Sequence, residues 1–192
     1  FELFSEFGYP DLVAEESVSV ELGVEQRLGD DSFVKATAFY TEIDNLIRFD
    51  PNATACGTGS GCYAQVDGTT TTRGVELSGR YALAQGRAAL FGAYTYTDAE
   101  TEEGRLARVP RHDLLLGVEG EIIDRLTGRF DIQHVADVEA SEFAPADNKV
   151  GDYTLANLGL DYALTDTIAA TLRVENLFDE DYETAGGFNQ PG

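Results

Sequence analysis

Basic residues are scarce in this 192-residue sequence, which has 13 lysines and arginines against 35 acidic residues and a net charge of −22. A nucleic-acid backbone would be repelled by such a chain, and no basic stripe offers it a seat. Long apolar runs are missing as well. No window of about 18 apolar residues exists, so no transmembrane helix is encoded, and the opening "FELFSEFG" lacks the basic and apolar regions of a signal peptide. A membrane-crossing strand carries a much weaker signal and is not excluded by this. Histidine is limited to His112 and His134, on separate proposed strands and without the companion ligands of a metal motif. There is no "GxSxG" setting and no glycine-rich strand-to-helix phosphate loop, so the sequence predicts neither an enzyme nor a bound cofactor. Paired carboxylates do not discriminate in so acidic a chain.

Only two cysteines are present, Cys56 and Cys62, in the loop-like stretch "ATACGTGSGCYAQ". A disulfide between them would close a short loop, contribute on the order of 2 kcal/mol and imply an oxidising compartment; the alternative is two unpaired loop thiols.

What the sequence does contain is alternation. In "SVSVELGVEQRL", Val18, Val20, Leu22 and Val24 alternate with Ser17, Ser19, Glu21 and Glu25, the period of a strand between two different environments. Similar patterns recur in "SFVKATAFYTEIDNLI", "RGVELSGRYAL", "RAALFGAYTYTD", "DLLLGVEGE", "TGRFDIQHVAD", "YTLANLGLDYAL" and "TIAATLRVENLF". The expectation is an all-β, antiparallel meander of about eight strands, each of roughly 9 to 12 residues.

The connections alternate too. "GDD", "AQG", "IIDRL" and "TD" are hairpin-sized, whereas Asp44 to Thr72, Ala99 to Arg111 and Val138 to Asp152 are long. In a meander this places every short turn at one end and every long loop at the other. Outer-membrane barrels have that asymmetry, with short periplasmic turns and longer extracellular loops. A ten-residue strand rises about 33 Å, which a tilt near 40° brings to about the 25 Å of an apolar membrane band. Val18, Leu22, Val75, Leu77, Leu172 and Val174 would then face lipid, and Glu21, Glu76, Arg80, Arg173 and Glu175 a polar lumen. Tyr40, Tyr81, Tyr94, Tyr96 and Tyr162 fall near strand ends, where an aromatic girdle sits. A soluble β-barrel or sandwich that binds a ligand has the same face pattern, with core and water in place of lipid and lumen.

Five stretches in order resemble TonB-dependent outer-membrane receptors: "YPDLVAEES", "AFYTEIDNLI", "TRGVELS", "VPRHDL" and the closing "NLFDEDYETAGGFNQPG". The motif residues are Arg73, Gly74 and Glu76, then Asn176, Leu177, Phe178, Asp179, Tyr182 and Gly192. Tyr9 and Ala14 depart from the family pattern, which often has Asn and Pro at those positions. The resemblance implies a barrel of about 22 strands around an N-terminal plug. Of this the chain would be the C-terminal portion, 1–192, an open fragment with the plug, the TonB box and the final strand absent and Gly192 a truncation point. It also implies uptake of a bulky, scarce nutrient across the outer membrane of a Gram-negative bacterium. The partners would be membrane lipid, an external small-molecule ligand, and TonB reached through the missing N-terminal region. "NLFDEDYET" looks closest to the cobalamin receptors, with related wording in siderophore receptors.

Site expectations from single residues are few. Arg111 and His112 are candidates to line the base of an external loop and meet ligand, although Pro110 beside them would by itself limit strand propagation. His134 reads as a strand residue near the rim. Asp98, Glu100, Glu102 and Glu103 read as a solvated loop rather than a calcium site. Asn176, Asp179 and Asp181 have short acceptors suited to capping turns, and Gly186 and Gly187 suit the loop backbone.

Overall fold

The computed structural model of the chain describes residues 7–50, 52–54, 61–66, 68–102, 104–140 and 149–190. Their strands are β1 (Glu16–Arg27), β2 (Phe33–Asp44), β3 (Ile47–Asp50), β4 (Cys62–Gln65), β5 (Thr69–Leu83), β6 (Ala88–Thr101) and β7 (Gly104–Arg105). They continue with β8 (Pro110–Ile123), β9 (Leu126–Glu139), β10 (Lys149–Val150), β11 (Tyr153–Ala163), β12 (Ala169–Val174), β13 (Tyr182–Ala185) and β14 (Phe188–Gln190). The main sheet runs β1-β2-β5-β6-β8-β9-β11-β12, with β7 added beside β6 and β10 beside β9. Neighbours in sequence are neighbours in space, as in a meander. Among the described residues β1 and β12 each pair with one strand, so they are the edges of an open sheet.

Register fixes the two faces. Leu116 stands opposite Ile132, Val118 opposite Phe130, Leu158 opposite both Phe130 and Val174, and Leu160 opposite Leu172. This face is apolar yet uncovered: Leu116 is 56% exposed, Leu172 54% and Ile132 40%. One residue along, Glu119 stands opposite Arg129, Asp131 opposite Asn157, and Asp161 opposite Thr171, so the other face is polar. A one-residue slip would exchange the faces, which is why the alternation specifies the register so strongly. Among the described residues no helix is long and apolar enough to cross a membrane, which is no test of strands.

The short connections are tight because their backbones bend sharply. Ala84, Gln85 and Gly86 carry successive φ values of 50°, 59° and 87°, and Arg125 has φ 67° in the turn from β8 to β9. Between β11 and β12 the Thr165 hydroxyl accepts from the amides of Thr167 and Ile168 at 3.3 and 3.0 Å.

The chain divides into two compact units. One comprises Phe1–Glu21, Phe39–Arg73 and Asp98–Leu106, the other Leu22–Ala38, Gly74–Thr97 and Ala107–Gly192. In the first, β3 and β4 form a separate antiparallel pair with Phe49 opposite Tyr63, and edge-on ring contacts join Phe7, Phe49 and Tyr63 at 5.9 and 5.8 Å. Gln65 tethers the segment before β1, accepting from the Val13 amide and donating to the carbonyls of Val13 and Asn45. The second contains most of the wall and a small buried cluster of Val135, Val138, Ala140 and Val150 beside Tyr153.

Several boundaries differ from the expectation. The second strand stops at Asp44, where the long link was expected to begin, because Asn45 is left-handed at φ 59°, but that link contains β3 and β4. Pro110 does not limit β8 but begins it, opposite Val138; the first position of a strand tolerates a residue without an N–H. The last long strand ends at Val174, since Asn176 is left-handed at φ 49°.

Candidate functional site

On the polar face a chain of charge-assisted contacts crosses from β5 to the segment after β12. Arg80 pairs with Glu119, and Arg129 Nη1 reaches the second oxygen of Glu119 at 3.3 Å. Arg129 Nε donates to Asp131 at 3.0 Å, Asn157 donates to the other Asp131 oxygen at 2.9 Å, and Asn157 accepts from the Asn176 amide at 3.1 Å. The members come from β5, β8, β9, β11 and the turn after β12, with Arg129 and Asp131 both on β9. Asp131 is only 9% exposed, and a carboxylate that withdrawn from solvent is stable when both oxygens are engaged, as they are here. The Arg129 guanidinium also lies 4.0 Å from the centroid of the Phe91 ring. That ring covers Gly117, its cross-strand partner, where an added Cβ would fall 2.2 Å from the Phe91 ring edge.

Nearer the long connections, Gln133 donates to both oxygens of Asp113 at 3.1 and 3.2 Å. Beyond it, Asp137 gathers the cations of two strands: Arg111 Nη1 lies at 3.1 Å, and Lys149 is in contact with the other oxygen. Asp137 itself is left-handed at φ 58°, and its amide donates to Asp152 at 2.9 Å. The rings of Tyr153, next to Asp152, and Tyr182 pack at 4.7 Å between centroids. The face thus presents fixed dipoles and charges of both signs. Among the described residues no group of three or more histidine, cysteine or acidic side chains is placed to hold a metal ion.

Arg111 and His112, paired in the sequence expectation, are not brought together. Successive strand residues point to opposite faces. Arg111 shares the polar side with Asp137, whereas His112 lies opposite Ala136 and Tyr96 on the side of Leu114 and Leu116. There the His112 Nδ1 meets the Tyr94 hydroxyl at 2.8 Å, and its ring lies 6.1 and 5.4 Å from those of Tyr94 and Tyr96. His134 is on the same apolar side, opposite Leu114, bonded to the Thr154 hydroxyl at 2.9 Å.

Of the motif residues, Arg73 in β5 donates to Asp98 through Nη2 and Nε at 2.8 and 3.2 Å, while Gly74 and Glu76 continue that strand. Asn176 closes its own turn, donating to the Glu180 carbonyl and accepting from the Glu180 amide, both at 2.9 Å. The amide of Leu177 donates to Ala156 at 2.7 Å, and Asp179, left-handed at φ 56°, donates to Asn176 at 2.9 Å. Phe178 is exposed, and Tyr182 opens β13. Cys62 is buried in β4; Cys56 and Gly192 lie outside the described residues, as does Glu103 of the acidic loop. In the same unit as Cys62, the Asp11 carboxylate beside Tyr9 holds that phenol above its ordinary pKa.

The contacts among Arg129, Asp131 and Asn157 were not singled out from the sequence, although "TGRFDIQ" already shows two charges on one side of a strand.

The model of the family described as TonB dependent receptor-like, beta-barrel matches residues 1–177. The chain belongs to this family. As such it is a piece of an outer-membrane β-barrel of a Gram-negative bacterium, and its sheet has one apolar and one polar face. Among curated relatives, the iron-regulated outer membrane virulence protein of Vibrio cholerae is 26% identical, matching 93% of this chain and 29% of its own length. The vitamin B12 transporter BtuB of Photobacterium profundum is 27% identical over 95% of this chain and 29% of its own length. The chain therefore spans less than a third of either relative. Among solved structures, the ferric yersiniabactin uptake receptor FyuA of Yersinia pestis superposes with a TM-score of 0.71 at 25% identity, over 93% of this chain and 27% of that one. The ferric-catecholate import receptor Fiu of E. coli K12 gives 0.70 at 21% identity, over 95% and 26% of the two chains, a likeness of fold. The soluble sandwich that alternation alone left open is set aside by the family match.

Proposed function

We propose that this chain is the C-terminal part of the barrel of a TonB-dependent receptor that imports a bulky, scarce nutrient, a ferric siderophore or cobalamin, across the outer membrane. The observation that carries the reading is the match of the receptor-barrel family along residues 1–177, on a sheet with one apolar and one charged face. The curated relatives support both nutrient classes, one named as iron-regulated and another as a vitamin B12 transporter. "NLFDEDYET" supports cobalamin as the first ligand to test. In this reading the whole barrel has about 22 strands closed around a plug, energy arrives from TonB through an N-terminal region, and β1 and β12 pair with strands outside this chain. Pairing there is required, because an unsatisfied backbone group in hydrocarbon costs several kcal/mol. In this reading Arg111, on the polar side beside Asp137 and near the long loops, is the residue that meets ligand. The Cys56 and Cys62 thiols form a disulfide stapling the external loop.

Deleting the gene for the receptor and measuring uptake of labelled cobalamin and of a panel of ferric siderophores tests this. Loss of one uptake, restored by the wild-type gene but not in cells without TonB, is expected. Undiminished uptake of every compound would overturn the reading.

A further inference from the structure

No further inference is drawn: the strongest candidate, the apolar trough lined by Val34, Ala36, Leu77, Gly79, Gly92 and Leu116 on the apolar face of β2, β5, β6 and β8, carries nothing because nothing in the structure shows what covers that face.

Discussion

The two faces of β8, β9 and β11 share one backbone and differ in almost everything else. Ile132 and Gln133 are adjacent, yet Ile132 stands in a row with Leu116 and Ala156 while Gln133 is hydrogen-bonded to Asp113. On the apolar face the aliphatic side chains need no particular partner, because hydrocarbon accepts any apolar group, and only the His112 and His134 rings are bonded to named partners, Tyr94 and Thr154. On the polar face Arg111, Gln133, Glu119 and Asp131 are each tied to a named partner on another strand. The outward face is therefore specified by residue class, and the inward one by residue identity and register.

The largest expected break in that contrast comes from a charge at matched depth. Ile132→Arg should cost about 2 to 4 kcal/mol in lipid, whereas Gln133→Arg, beside Asp113 in the lumen, should cost well under 1 kcal/mol. Unfolding both variants in lipid vesicles measures the difference, and equal penalties would mean that the faces are assigned wrongly.

A smaller effect tests how tightly the inward face is packed. Gly117→Ala pushes a methyl group into the Phe91 ring and should cost about 1 to 3 kcal/mol. Combining it with Phe91→Leu should recover most of that loss, and additive penalties would show that the ring does not lie over Gly117.

Smaller again is the expected cost of Asn157→Leu, which leaves one Asp131 oxygen and the Asn176 amide without their partner. It should cost about 1 to 2 kcal/mol. The outward Leu158→Met should cost less than about 1.5 kcal/mol, so the ranking of these neighbours, measured together, sharpens the comparison further.

The weakest effect lies outside the wall. Asp11→Asn should lower the Tyr9 pKa toward the ordinary phenol value, since the raised value comes first from the negative charge on Asp11. Nuclear magnetic resonance titration of ring-labelled tyrosine, assigned by Tyr9→Phe, reads the shift; an unchanged midpoint would place the cause elsewhere.

Much of this was legible along the chain. Val18 to Val24 alternate strictly, and they lie within β1. The short connections near Gly29, Ala84, Asp124 and Thr165 are where the strands turn. The Asp44 to Thr72 link was legible only as a long loop, because the pairing of Ile47 with Gln65 joins two four-residue strands too short for a periodic signal. The start of β8 was misjudged because proline is read locally as a breaker, while its tolerance depends on where the neighbouring strand runs.

The sequence by itself determined the eight long strands of the main sheet, the alternation of short and long connections, and which residues share a face, since all three follow from a period of two and from turn chemistry within a few residues. Only the tertiary structure decided which residues face one another across the sheet. Arg129 meets Glu119 ten positions away, Arg111 meets Asp137 twenty-six away, and Arg80 meets Glu119 thirty-nine away. Small residues at positions 36, 79 and 92 form one trough only after three strands are aligned. These are properties of register between distant segments, set by the joint burial and pairing of whole strands, and no local pattern contains them.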